Sequence, residues 1–222
     1  SLHGVTTAVM GNCGIGFAPV RVQDREWLVG LMEAVEDIPA DTLNAGLPWE
    51  WESITEYMGF LENQSRVIDI GVQATHASIR TYVMGERGAA NEAATEADIR
   101  QMAQLVQEAM SGGALGFTSS RSILQRTNQG KHSPGYGVPV DELFALGSVL
   151  GRMNKGTIGL NVDFEDIDKE IEWIRQLRRI TNRPVWFLLA QFPDVPDKYR
   201  TILDRIGDAS RQGEPLTAQV AG

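Results

Sequence analysis

The chain has 222 residues, enough for one large domain or two small ones, and 20 basic against 29 acidic residues leave it at −9. That balance argues against the clustered lysines and arginines of a nucleic-acid binder and against a surface drawn to anionic lipid. A hydrophobic content of 42% excludes wholesale disorder, the single Cys13 excludes an internal disulfide framework, and no apolar run reaches the ~20 residues of a membrane span.

The pattern along the chain is short β-rich runs alternating with longer amphipathic ones. Val5–Met10 reads as a strand, followed by a glycine-rich loop over Gly11–Phe17. Asp24 is read as the cap of a helix with Trp27, Leu28, Leu31, Met32 and Val35 on one face. Residues 36–49, with Pro39, Gly46 and Pro48, read as loop, and Trp49–Leu61 as helix. Val67–Gln73 is the second strand. Thr95 is expected to cap a strong helix with Ile99, Met102, Leu105, Val106 and Met110 as its apolar stripe and Gly112–Gly113 as its stop. Ala114–Thr118 is a short strand, and the polar stretch 119–138 is a long loop of the kind that serves as a lid. Helices over Asp141–Met153, Ile167–Ile180 and Pro196–Gln212 alternate with strands over Thr157–Val162, Pro184–Ala190 and Leu216–Val220.

This rhythm implies βαβ units and an α/β fold with a parallel sheet. Two outcomes are open: a doubly wound sheet, or part of a (β/α)8 barrel incomplete at both ends. In either, functional groups belong at the C-terminal ends of strands. Cys13 then stands after the first strand, His76 and Arg80 after the second, Thr118, Ser119, Ser120 and Arg121 after the third. Asn161, Asp163 and Glu165 follow the fourth, and Gln191 and Asp194 the fifth. Cys13 is either an inert buried thiol or a zinc ligand or nucleophile. His76 and Arg80, four residues apart, share a face if their segment is helical, and Arg80 can then fork onto the carboxylate of a small-molecule substrate. Asp163, Glu165 and Asp166 read more simply as an acidic helix start. The loop Gly11-Asn12-Cys13-Gly14-Ile15-Gly16 has the look of a phosphate cradle but the wrong spacing for a dinucleotide site. No HxH or CxxC pair is present.

The blocks HGVTTAVMGNCGIGFAPVR, LMEAVEDIP, GLPWEWESITEYM, YVMGERGA and GALGFTSSR, in this order and continuing through FEDIDKEIEWIRQLRRITNRPVWFLLAQ, resemble the D-aminoacylase (N-acyl-D-amino-acid deacylase) group of the amidohydrolase superfamily. The resemblance spans nearly the whole chain. It implies a metal-dependent (β/α)8 TIM barrel of which residues 1–222 are the central portion, about strands two to seven. It implies hydrolysis of a non-peptide C–N bond by a zinc-activated water, with an N-acylated D-amino acid as substrate. It puts Cys13 at the position of a zinc ligand, and it puts the family's HxH pair and catalytic aspartate outside this segment. The chain departs from the family after His132, where no histidine remains. The strand ends that carry zinc-ligating histidines in the family carry Asn161 or Asp163 and then Gln191, which leaves Asp163 as an oxygen ligand or leaves the metal site incomplete.

Three readings follow. The first is the central part of such a hydrolase, inert as an isolated segment and needing missing barrel segments or a second chain to cover its sheet edges. The second is a degenerate, non-catalytic barrel that keeps a ligand cavity, and the third is an open sheet binding a nucleotide at the glycine loop. The chain starts at Ser1 rather than Met and reads as processed or as an excerpt, and its acidic balance suits a cytoplasmic protein.

Overall fold

Short runs of β-branched and apolar residues can be buried on both faces only if their backbones pair, and the amphipathic runs between them supply the cover. A computed structural model describes residues 3–220. Its strands are β1 (Thr7–Met10), β2 (Asp69–Val72), β3 (Ala74–Thr75), β4 (Gly116–Ser120), β5 (Thr157–Asn161), β6 (Val185–Leu188) and β7 (Leu216–Gln219). Every pairing between them is parallel. The expected second strand, Val67–Gln73, is β2 over Asp69–Val72 and pairs back to β1, and after Gln73 a further short strand, β3, pairs forward to β4. Backbone bonds bridge the step from β2 to β3, with Gln73 N donating to Met10 O at 3.0 Å and Leu115 N to Val72 O at 2.9 Å.

Strand order follows sequence order throughout, β1-β2 and then β3-β4-β5-β6-β7. A doubly wound sheet reverses its order at a switch point. This one never does, so it is the wall of a barrel rather than an open nucleotide-binding sheet. The wall is not closed, because β1 and β7 are not paired with each other among the described residues.

The helices are α1 (Arg25–Glu36), α2 (Ala40–Gly46), α3 (Ile54–Glu62), α4 (His76–Met84), α5 (Glu86–Ala89), α6 (Glu96–Gly112), α7 (Val140–Met153), α8 (Ile167–Thr181) and α9 (Lys198–Arg211). Residues 36–49 are not all loop. Pro39 stands at the N-cap of α2, where its missing N–H costs nothing, and Leu43 is buried. The helix expected from Trp49 starts five residues later. Ser53 accepts from Glu56 N while the Glu56 carboxylate accepts from Ser53 N, a reciprocal cap that fixes the start at Ile54. Thr95 caps α6 as expected, in the same reciprocal way with Asp98. Asp24 precedes α1 but makes no side-chain cap bond.

Met102, Val106 and Met110 of α6 are fully buried, each stabilising the fold by about 1.5–3 kcal/mol relative to exposure. The Thr95 cap contributes about 1 kcal/mol. Packing against the sheet therefore decides this helix, and the cap decides only where it begins. On the sheet side Phe117, Ile158, Leu160, Val185 and Phe187 complete the core. Gly159 is where β5 passes the Trp186 ring of β6: a Cβ there would stand 2.0 Å from the indole.

Candidate functional site

Three constellations stand at the C-terminal ends of the strands. The first is the glycine loop after β1. Gly11 and Gly14 hold positive φ of 86° and 79°, and a Cβ on Gly14 would meet Ser120 N at 2.7 Å. Gly14 O accepts from Ala77 N at 3.0 Å, and Gly11 O accepts from Thr118 Oγ1 at 2.6 Å. The glycines thus let the loop lie flat against β3 and β4. Only a three-residue 3-10 turn, Val22–Asp24, precedes α1, so no helix N-terminus opens directly from the loop. The nucleotide cradle expected as the third reading is not built here.

The second constellation is open. Cys13 emerges from this loop partly buried, its Sγ 3.9 Å from Ile15 O and 3.7 Å from Glu36 Oε1. Burial pushes the thiol pKa up, and the Glu36 carboxylate pushes it the same way. On its own the sulfur is therefore held as S–H. It lines a cavity of about 410 Å³ together with Glu36, Ser122, Asn161, Asp163 and Lys198. Val162, Leu189 and Phe192 supply apolar wall. A second cavity, of about 450 Å³, lies against the other side of Cys13 and Glu36 and reaches Tyr57 and Gln73.

Asp163 faces the first cavity, but its carboxylate is engaged. Oδ1 accepts from Ser122 Oγ at 2.7 Å and Oδ2 from Ile123 N at 2.6 Å. Its backbone oxygen accepts from Lys198 Nζ at 2.8 Å. Gln191 does not line this cavity: its amide donates to Pro196 O at 3.1 Å.

The third constellation is sealed. His76 opens α4, and Arg80 lies one turn on, as their spacing predicts, yet both are 0% exposed. Glu142 Oε1 accepts from His76 Nε2 at 2.8 Å and from Arg80 Nε at 2.9 Å. A carboxylate only accepts, so Nε2 carries hydrogen, and in the neutral ring Nδ1 accepts from Ser119 Oγ at 2.8 Å. Arg80 also donates to Gly88 O at 3.3 Å and to Glu92 O. Burial draws the Arg80 pKa down, and Glu142 offsets it. Ser119, His76 and Glu142 have the connectivity of a nucleophile, a base and an acid. However, Ser119 is itself 0% exposed, and a Cβ on Gly135 of the loop above would lie 3.2 Å from His76 Nδ1. His76 and Arg80 therefore present no face to a substrate in this structure, and neither lines the cavity that Cys13 and Asp163 share.

Sequence reading missed Glu142, Glu36, Gln125 and Lys198. Glu142 sits in the first turn of a helix, where an acidic residue ordinarily serves the dipole at the surface. Nothing local marks it as 2% exposed.

A catalytic zinc takes three protein ligands. Among the described residues no group of three or more histidine, cysteine, aspartate or glutamate side chains is placed to hold a metal ion. Cys13 is a soft donor with room beside it, whereas Asp163 has both oxygens committed to N–H and O–H donors. The described residues do not by themselves bring together a full ligand set for a metal.

The sequence pattern of the Amidohydrolase family matches residues 1–218. The chain belongs to the amidohydrolase family. A D-aminoacylase of Alcaligenes xylosoxydans xylosoxydans is 32% identical over 117 residues, covering 53% of this chain and 21% of that protein. An N-acyl-D-aspartate deacylase of the same organism is 26% identical over 141 residues, covering 64% of this chain and 24% of that one. The solved N-acyl-D-glutamate deacylase of Bordetella bronchiseptica, complexed with zinc and a phosphonate inhibitor, superposes with a TM-score of 0.73 at 22% identity. It covers 98% of this chain and 41% of its own. A D-aminoacylase with a binuclear metal centre superposes equally well, at 20% identity. This amidohydrolase chain thus has the fold of those enzymes and spans about a fifth of its curated relatives and two fifths of the solved chains.

Proposed function

We propose that the natural protein hydrolyses the amide C–N bond of an N-acylated D-amino acid, and that this chain forms part of the wall of its catalytic barrel. The family match over 1–218 supports the reaction class, and the D-aminoacylase relatives support the substrate. The observation that carries the reading is the setting of Cys13. It stands at the C-terminal end of a barrel strand and faces a cavity that the ends of β4, β5 and β6 also line.

Amide hydrolysis needs a group to take a proton from water and a positive group beside the developing oxyanion. This chain contributes the cavity, the Glu36 carboxylate and the Lys198 ammonium, and no histidine lines that cavity. The remaining groups belong to polypeptide outside 1–222, in keeping with an inert isolated segment. Val9 on β1 and Val220 just past β7 are exposed, and β1 and β7 are each paired along one edge among the described residues, which supports further polypeptide over both outer edges.

The test is turnover of a panel of N-acetyl-D-amino acids by the natural protein supplied with zinc. Hydrolysis abolished by a chelator, together with a fall in bound zinc on Cys13→Ala, is the expected result. A second reading, a ligand-binding barrel without hydrolysis, is favoured by Asn161, Asp163 and Gln191 standing where the resemblance expects donors to a metal. Saturable ligand binding with no turnover across the panel would select it.

A further inference from the structure

The bonds that Asp163 makes do not fit the oxygen-ligand role that the family resemblance leaves open for it. Residues 121–138, between β4 and α7, form a flap. An antiparallel bridge joins Arg126 to His132, and Thr127 N donates to Lys131 O at 2.7 Å. Within the flap Ser122 and Gln125 are buried, and Leu124 is 68% exposed. All three line the 410 Å³ cavity, so the position of the flap sets one of its walls.

Four grips hold it. Asp163 takes Ser122 Oγ and Ile123 N at the near end. Gln125 Nε2 donates to Cys13 O at 3.3 Å in the middle. Asn91 binds Ser133 O at 3.1 Å and Gly135 N at 2.8 Å at the far end. Arg121 Nη1 donates to Val138 O at 2.5 Å across the base. Hydrogen bonds with an ionised partner are the strong ones: Arg121 supplies a charged donor but joins two residues of the flap itself, whereas Asp163 supplies a charged acceptor that ties the flap to the end of β5. The same residue takes the Lys198 ammonium on its backbone oxygen, so it stitches the chain after β4, β5 and β6 together.

We propose that Asp163 is a positioning residue that clamps the 121–138 flap over the cavity and is not a metal donor. A carboxylate turned onto a cation would have to release Ser122 and Ile123, and the flap would lift. The kinetic and zinc arms of the test rest on the hydrolase reading above, and the cleavage arm does not.

Three measurements on the natural protein decide it. Trypsin has exposed targets at Arg126 and Lys131 in the flap. Cleavage there is expected to accelerate about tenfold or more in Asp163→Ala, because cleavage follows the open population and a charge-assisted grip is lost. Ser122→Ala removes one of the two bonds, together with the acceptor of Leu124 N at 3.2 Å within the flap, and keeps the Ile123 N bond, so it should fall between Asp163→Ala and the unaltered protein. Zinc bound per chain should be the same in Asp163→Asn as in the unaltered protein. KM should rise about three- to tenfold in Asp163→Ala with kcat within about twofold, the pattern of a displaced binding wall. Equal flap cleavage in all three proteins, a loss of zinc in Asp163→Asn, or a fall in kcat at unchanged KM overturns the clamp. Absence of turnover in the unaltered protein counts against the proposed function alone, and the cleavage order still judges the clamp.

Discussion

His76, Arg80, Ser119 and Glu142 at the ends of β3 and β4, and Cys13, Asp163 and Lys198 around the end of β5, obey the same positional rule for parallel barrels. They differ in what lies above them. Over the first group the flap closes at Gly135, and every side chain is at most 2% exposed. Over the second the same flap stands off and leaves a cavity. In the sealed group each charge is answered within the fold and away from solvent. The open group carries a thiol, held by Ile15 O and Glu36 Oε1, beside free volume, which makes it the candidate site. Chemical type does not separate the two; access does.

The largest effect that tests this contrast is removal of Glu142. Glu142→Ala leaves the Arg80 cation and the His76 Nε2–H without their acceptor and is expected to cost about 3–5 kcal/mol. Urea unfolding measures it, with Leu124→Ser on the flap rim, expected within about 0.5 kcal/mol, as the surface counterpart. A cost for Glu142→Ala near that of Leu124→Ser would mean that the network is wet rather than sealed. The second effect lies on the boundary between the regions. Gly14→Ala adds a Cβ 2.7 Å from Ser120 N at a φ of 79° and should cost about 2–4 kcal/mol while loosening the loop that carries Cys13. A neutral result by thermal melting would show that the loop can leave β4 freely.

The smallest effect comes from carboxylates in neither region. Backbone N–H groups of Ser53 and Glu52 hold the Glu56 carboxyl below its usual range, and the Thr95 N–H does so for Asp98. Their folded pKa values lie below the unfolded ones, so the unfolded chain binds more protons in acid. The stability they add is complete above about pH 4.5 and is lost as pH falls through the folded values. Melting temperature should therefore drop on going from pH 5 to pH 3, and the drop should shrink in the double variant Glu56→Gln/Asp98→Asn. An unchanged drop would place the acid-sensitive groups elsewhere.

Much of the fold was legible because its signals are local. Hydrophobic period marked most of the elements, Thr95 with Asp98 marked the start of α6, and Gly113 in a left-handed conformation ends it. The start of α3 was misread because the apolar pair Trp49 and Trp51 extends the helical pattern. Those rings instead cluster with Tyr57 and Phe60, 4.8 and 5.0 Å from Trp51, and the Ser53 cap decides the start. Pro39 and Gly46 hid α2 because one begins it and the other ends it.

By itself the sequence determined a parallel α/β chain, the family resemblance, and a lone thiol just after the first strand, since each depends on neighbours within a few residues. Tertiary structure alone decided which strand ends are open. Glu142 lies 66 residues beyond His76, and Ser122 lies 41 residues before Asp163. Whether a carboxylate neutralises a buried cation, clamps a flap or faces a cavity is set by which distant partner the folded sheet places beside it, and spacing along a helix or strand carries no record of that partner.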